Sequence, residues 1–241
     1  DDWQAINGFA GANAKFITRA QDYHEQPLKL NLLTNHRSAR EIVELGNSVM
    51  SGRGLGGETG NNIKGLVKLA DVSKFRATPI ERQKHDRSIL IPVVLRLITA
   101  HLEHGPVQDI VLLSRTDKSR MPFYAPNSPK VSTGNSGKNT LISFTSDLKR
   151  FLPKEHRSRV TSSTVHSYKG LESDAVIILD GLVNRYPLIH PDWIFSRIFG
   201  VDEQTITDEE RRLFYVGVTR AVSRLTVITD GSNPTPFLHN N

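Results

Sequence analysis

Six short apolar runs, at residues 28–33, 65–70, 109–114, 160–165, 175–179 and 225–229, recur along the chain with helical or loop sequence between them. Strands that are apolar on both faces lie inside a sheet covered on both sides, and strands alternating with helices pair in parallel. The chain is therefore expected to form an α/β fold, with a parallel sheet and helices on both faces. Residues 38–50 place Ile42, Leu45 and Val49 at helical spacing, and Ser38 with Glu41 three residues on reads as a capping box. Residues 88–103 and 141–152 also read as helices, whereas the glycine-rich 51–62 reads as a loop. Ligands of such sheets bind at the carboxyl ends of the strands, which directs attention to the strand-to-helix turns. No internal repeat is visible.

Length and composition bound the function. A chain of 241 residues, 37% of them hydrophobic, can bury one large core or two modest ones. With no cysteine, disulfides and thiolate metal sites are excluded. No apolar run approaches the roughly 20 residues that span a bilayer. The opening Asp1-Asp2-Trp3-Gln4 has neither the basic region nor the apolar core of a signal peptide. The expectation is a cytoplasmic protein with no membrane partner. The net charge of +6 favours a polyanionic partner.

The most specific stretch is residues 209–221, EERRLFYVGVTRA. Leu213, Val216 and Gly217 share one helical face, with acids in the first turn and Arg220 near the end, a charge order that suits the helix dipole. This string resembles motif VI of the UvrD/Rep type of superfamily 1 DNA helicases, EERRLxYVxxTRA. Four further segments resemble the same family in the same order: residues 1–12 motif III, residues 33–38 (LTNHRS) motif IV, residues 109–116 (DIVLLSRT) the segment DIAVLxRT, and residues 163–172 (STVHSYKGLE) motif V.

The resemblance implies a RecA-like second motor domain and a set of site residues. Arg37 and Arg220 would be the arginines that reach the ATP γ-phosphate, a contribution of roughly 10³–10⁵ in rate for such groups. An arginine cannot lose its charge and offers a planar fork of donors to phosphate. A cation at a helix start, where Arg37 lies, is mildly unfavourable, which argues for a functional reason. Gln4 would sense the γ-phosphate, while Glu172, with Gly170, would hold the nucleotide ribose. Phe9 would stack on a base, and His166 and Lys169 would meet backbone phosphate. The implied cofactor is ATP with Mg2+, and the implied partners are single-stranded DNA and an N-terminal motor domain of the same protein. No metal ligands are assigned to this chain.

Several positions depart from the family pattern. Asn7 stands for the usual Tyr, Ala10 for an Arg of many members, and His36 for the Tyr before Arg37; Tyr168 and Ser173 also differ around motif V. These substitutions bear on strand contact rather than on nucleotide sensing. Residues 132–140, STGNSGKNT, imitate a phosphate loop, but Ser132 replaces its first glycine and Asn139 its magnesium-binding hydroxyl. They read as a flexible loop.

The sequence has no complete phosphate loop and no D-E-x-x at the end of an apolar run, where motif II would lie. The chain is thus expected to be the C-terminal half of a larger helicase, inactive by itself. Residues 1–24 would end the first motor domain and 25–241 form the second, with 117–158 a short loop-and-helix insert in place of an accessory domain. Movement along DNA would run 3′ to 5′. The alternative is a non-catalytic, motor-derived module that binds nucleic acid or docks a partner. The tail from residue 233 to 241 has no acidic cluster to support a nuclease.

Overall fold

The computed structural model describes residues 2–6, 19–28, 30, 32–85, 88–117, 121–124, 140–189 and 202–238. Its elements run β1 (Thr34–Asn35), α1 (Arg40–Val49), β2 (Glu58–Thr59), β3 (Leu66–Asp71), α2 (Pro79–His85), α3 (Leu90–Glu103), β4 (Ile110–Ser114), α4 (Thr140–Phe151), β5 (Val160–Thr164), β6 (Ser173–Ile178), α5 (Glu203–Val218) and β7 (Ala221–Thr229).

Five strands form one sheet in the order β3-β7-β6-β4-β5, and every neighbouring pair is parallel. The pleat sends alternate residues to opposite faces. Val111, Leu113, Val176, Ile178, Leu225 and Val227 point to one side, where they meet α1 and α5 through Ile42, Leu45, Leu213, Phe214 and Val216. Ile110, Leu112, Ala175, Ile177 and Ile228 point to the other, where Leu90 and Ile98 of α3 and Phe144 and Leu148 of α4 cover them. The expected α/β fold with helices on both faces is what the chain adopts.

Gly217 lets α5 lie close on the sheet, since a Cβ there would stand 3.3 Å from a Val165 methyl. Helix α4 lies within the stretch read as an insert, and Leu141, Phe144 and Leu148 bury it against the sheet between β4 and β5. Of the phosphate-loop imitation only Thr140 is described, and it opens this helix.

Two local expectations fail. The described part of 28–33 forms no strand; Leu28, Leu30 and Leu32 are exposed, Leu32 to 99%, because no second layer among the described residues covers that face. Pairing begins only at Thr34, with β2. The capping box of α1 is also absent: Ser38 donates its hydroxyl to Ala221 O (2.8 Å), while Glu41 accepts the Gly65 amide. A true capping box sits instead before α2, where Thr78 and Glu81 exchange hydrogen bonds of 2.7 and 3.2 Å around Pro79.

Candidate nucleotide and nucleic-acid interface

Motif IV is built by an asparagine. The Asn35 side-chain oxygen accepts the backbone N–H groups of Arg37 and Ser38, both at 2.9 Å, which turns the chain sharply out of β1. Ser38 and Ala39 then dock on the start of β7, where the Ala39 amide donates to Val222 O at 2.8 Å. Arg37 is thereby carried next to the end of α5 and its guanidinium is left partly exposed, with Nε 2.5 Å from Glu172 Oε2.

Glu172 comes from the motif V turn. This turn leaves β5, passes Gly170 at φ +90, and enters β6. A side chain at Gly170 would meet nothing within 4 Å, so the glycine answers to backbone conformation and not to space. The Tyr168 hydroxyl donates to Glu172 O at 3.0 Å and braces the turn from within.

Arg220 lies just past the C-terminus of α5. It is 1% exposed, with Nε donating to Val216 O (3.0 Å) and one Nη to Leu171 O (3.2 Å). A cation here satisfies orphan carbonyls at the negative end of the helix. Burial and then the charge of Arg37 push its proton affinity below the ordinary arginine value. Arg37, Glu172 and Arg220 thus form one cluster, drawn from three distant parts of the chain. The cluster stands at the amino ends of β6 and β7, not at carboxyl ends of strands. The strand-to-helix rule fails here because Arg220 is delivered by a helix-to-strand turn.

Gln4 and Lys169 meet through the backbone: Lys169 Nζ donates to Gln4 O at 2.9 Å. The Lys169 ammonium, expected on DNA phosphate, is directed at this carbonyl. Phe9 lies outside the described residues. His166 falls in a separate cleft of about 430 Å³, lined by Arg115, His166, Glu209, Glu210 and Leu213 at the carboxyl ends of β4 and β5. Burial first and Arg115 second lower the affinity of His166 for a proton.

Sequence reasoning missed Arg115. Its guanidinium clasps Glu210 with bonds of 2.9 and 2.6 Å, and both side chains are largely buried. Beneath it the buried Asp180 carboxylate accepts the Ser114 hydroxyl (2.8 Å) and the Arg115 amide (3.1 Å), and burial raises its pKa. The available signal was the RT of 109–116, an arginine directly after an apolar strand.

Comparison with known proteins agrees with the motifs. Residues 136–232 match the UvrD-like helicase C-terminal domain. The UvrD-like match spans motifs V and VI, α5 and the strands β5 to β7. Over 99% of its length the chain is similar, at 24% identity, to DNA helicase IV of Escherichia coli K12, of which it covers 30%. It is also 37% identical over 76 residues to the ATP-dependent DNA helicase UvrD1 of Mycobacterium tuberculosis, covering 32% of this chain and 9% of that protein. A solved C-terminal domain of a possible DNA helicase from a Lactobacillus aligns over 86% of this chain and 93% of its own, with 16% identity and a TM-score of 0.41. The chain spans less than a third of the length of the Escherichia coli and Mycobacterium tuberculosis helicases. No helix among the described residues is long and apolar enough to cross a membrane.

Proposed function

We propose that this chain is the second motor domain of an ATP-driven, UvrD/Rep-like DNA helicase or translocase that moves 3′ to 5′. The observation that carries the reading is the convergence of Arg37, Glu172 and Arg220 at one end of the sheet. Two guanidinium groups and one carboxylate suit a nucleotide, with the cations toward polyphosphate and the carboxylate toward ribose hydroxyls. ATP with Mg2+ would be held mainly by the N-terminal motor domain, against which this end would close. Phosphoryl transfer is largely positioning and charge stabilisation, so a second domain contributes by bringing charge to the γ-phosphate.

Single-stranded DNA would run past the cleft that holds His166 and Arg115, away from the Arg220 end of α5. The pI of about 9.6 adds a sequence-independent attraction. The test is ATP hydrolysis by the full-length protein with and without single-stranded DNA. Stimulation by the strand is the expected result. Its absence would leave the non-catalytic binding module as the better account.

A further inference from the structure

Residues 3–6 are fastened to the body of the domain at four points. Ile6 is fully buried and Trp3 nearly so, both in the core cluster beneath α1 and α5. The Trp3 indole N–H donates to Arg53 O at 3.0 Å, and its ring meets Tyr215 edge-on at 5.2 Å. Between these anchors, two cations grip consecutive carbonyls: Lys169 Nζ takes Gln4 O at 2.9 Å, and Arg212 Nε takes Ala5 O at 3.1 Å. One cation comes from the turn after β5 and the other from α5, so the two successive peptides that follow Gln4 and Ala5 are held by the elements that also shape the Glu172 and Arg220 sites.

We infer that Lys169 and Arg212 are positioning residues for Gln4. They fix its main chain to the motif V turn and to α5, so that its side chain enters the nucleotide cleft in register with Arg37 and Arg220. This rests on the proposed motor function. Charge-assisted bonds to backbone are stronger and more directional than neutral ones, and a displacement of about 1 Å near the chemistry can cost about 10²-fold in rate. Lys169 acts on nucleotide chemistry through Gln4 and not as a cation for the DNA backbone.

The experiment is a mutant cycle in the full-length protein: Gln4→Ala, Lys169→Met, Arg212→Met and the pairs with Gln4→Ala, with Lys169→Arg as the conservative control. The expected result is a fall in kcat of about 10-fold for Lys169→Met and Arg212→Met, with half-saturation by single-stranded DNA unchanged. Each pair should be no slower than Gln4→Ala alone, and Lys169→Arg should keep most of the rate. Losses that multiply, or a raised DNA requirement at unchanged kcat, would overturn the inference. A wild type without DNA-stimulated hydrolysis would sink the motor reading instead. Amide hydrogen exchange at residues 3–6 then decides the anchoring alone, since faster exchange in the methionine variants supports it and unchanged exchange refutes it.

Discussion

Arg37 and Arg220 have the same charge and the same proposed role, yet their surroundings make them different experimental objects. Arg220 is committed to two backbone carbonyls at the end of α5, so its removal disturbs structure as well as chemistry. Arg37 is partly exposed and pairs with the exposed Glu172, so its removal should leave the fold intact. Gly170 tests the backbone demand of the same cluster. Gly170→Ala forces a side chain into φ +90 without any clash and should destabilise the protein by about 1 kcal/mol, read from its urea midpoint. The residues of this cluster were legible as family motifs, but their contact was not. Arg37 and Glu172 are 135 positions apart, and no local pattern reports such a pairing. The same holds for the clasp between Arg115 and Glu210, 95 positions apart.

The second half of helix α5 was legible through its amphipathic face, but Glu209 and Glu210, read as its first turn, lie in its middle. Its start was not, although Asp202 caps it by accepting the Thr205 amide at 2.7 Å. Helix α2 is equally hard to read, even with a helix-start signal in Thr78-Pro79-Ile80-Glu81; a seven-residue helix shows too little periodicity. The run at 28–33 failed for the opposite reason, since its alternating leucines promise a buried face that only neighbouring elements can supply. Two predictions belong to elements. Glu210 ties α5 to the end of β4, and Glu210→Ala would leave Arg115 buried without its carboxylate. That loss should cost roughly 3–5 kcal/mol in chemical denaturation, whereas Arg115→Met with Glu210→Leu should recover much of it.

Helix α3 carries the second. Burial, and next the charge of Arg224, lower the pKa of His101 to about 4, while its Nε2 shares a hydrogen bond of 3.1 Å with Thr226 on β7. The folded chain therefore resists protonation there, and the unfolded chain, titrating near 6.5, takes up the proton first. Stability should be full above about pH 6.5 and decline by about 1–3 kcal/mol as pH falls toward 4. His101→Gln should flatten that part of the profile in urea titrations at stepped pH, and an unchanged profile would contradict the assignment.

At the scale of the whole molecule, the parallel sheet and its two helical layers follow directly from apolar runs alternating with helices. The strand order does not, because it depends on which crossovers pass over which neighbours; the short turn from β5 to β6 carries the chain across β4. That crossing is what brings Glu172 from the far edge of the sheet to Arg220, and motif IV arrives at the same place by docking on β7. The Arg37–Glu172–Arg220 cluster and the His166 cleft then lie at different levels along α5, so a single helix would contact both proposed ligands.

If this domain supplies charge to the γ-phosphate as proposed, the loss of Arg37 must show it. Full-length wild type and Arg37→Ala should be compared for DNA-stimulated ATP hydrolysis and for nucleotide affinity. The expected result is a fall in kcat of roughly 10³-fold or more while nucleotide still binds and the melting temperature is unchanged. An Arg37→Ala protein that hydrolyses ATP at the wild-type rate would contradict it.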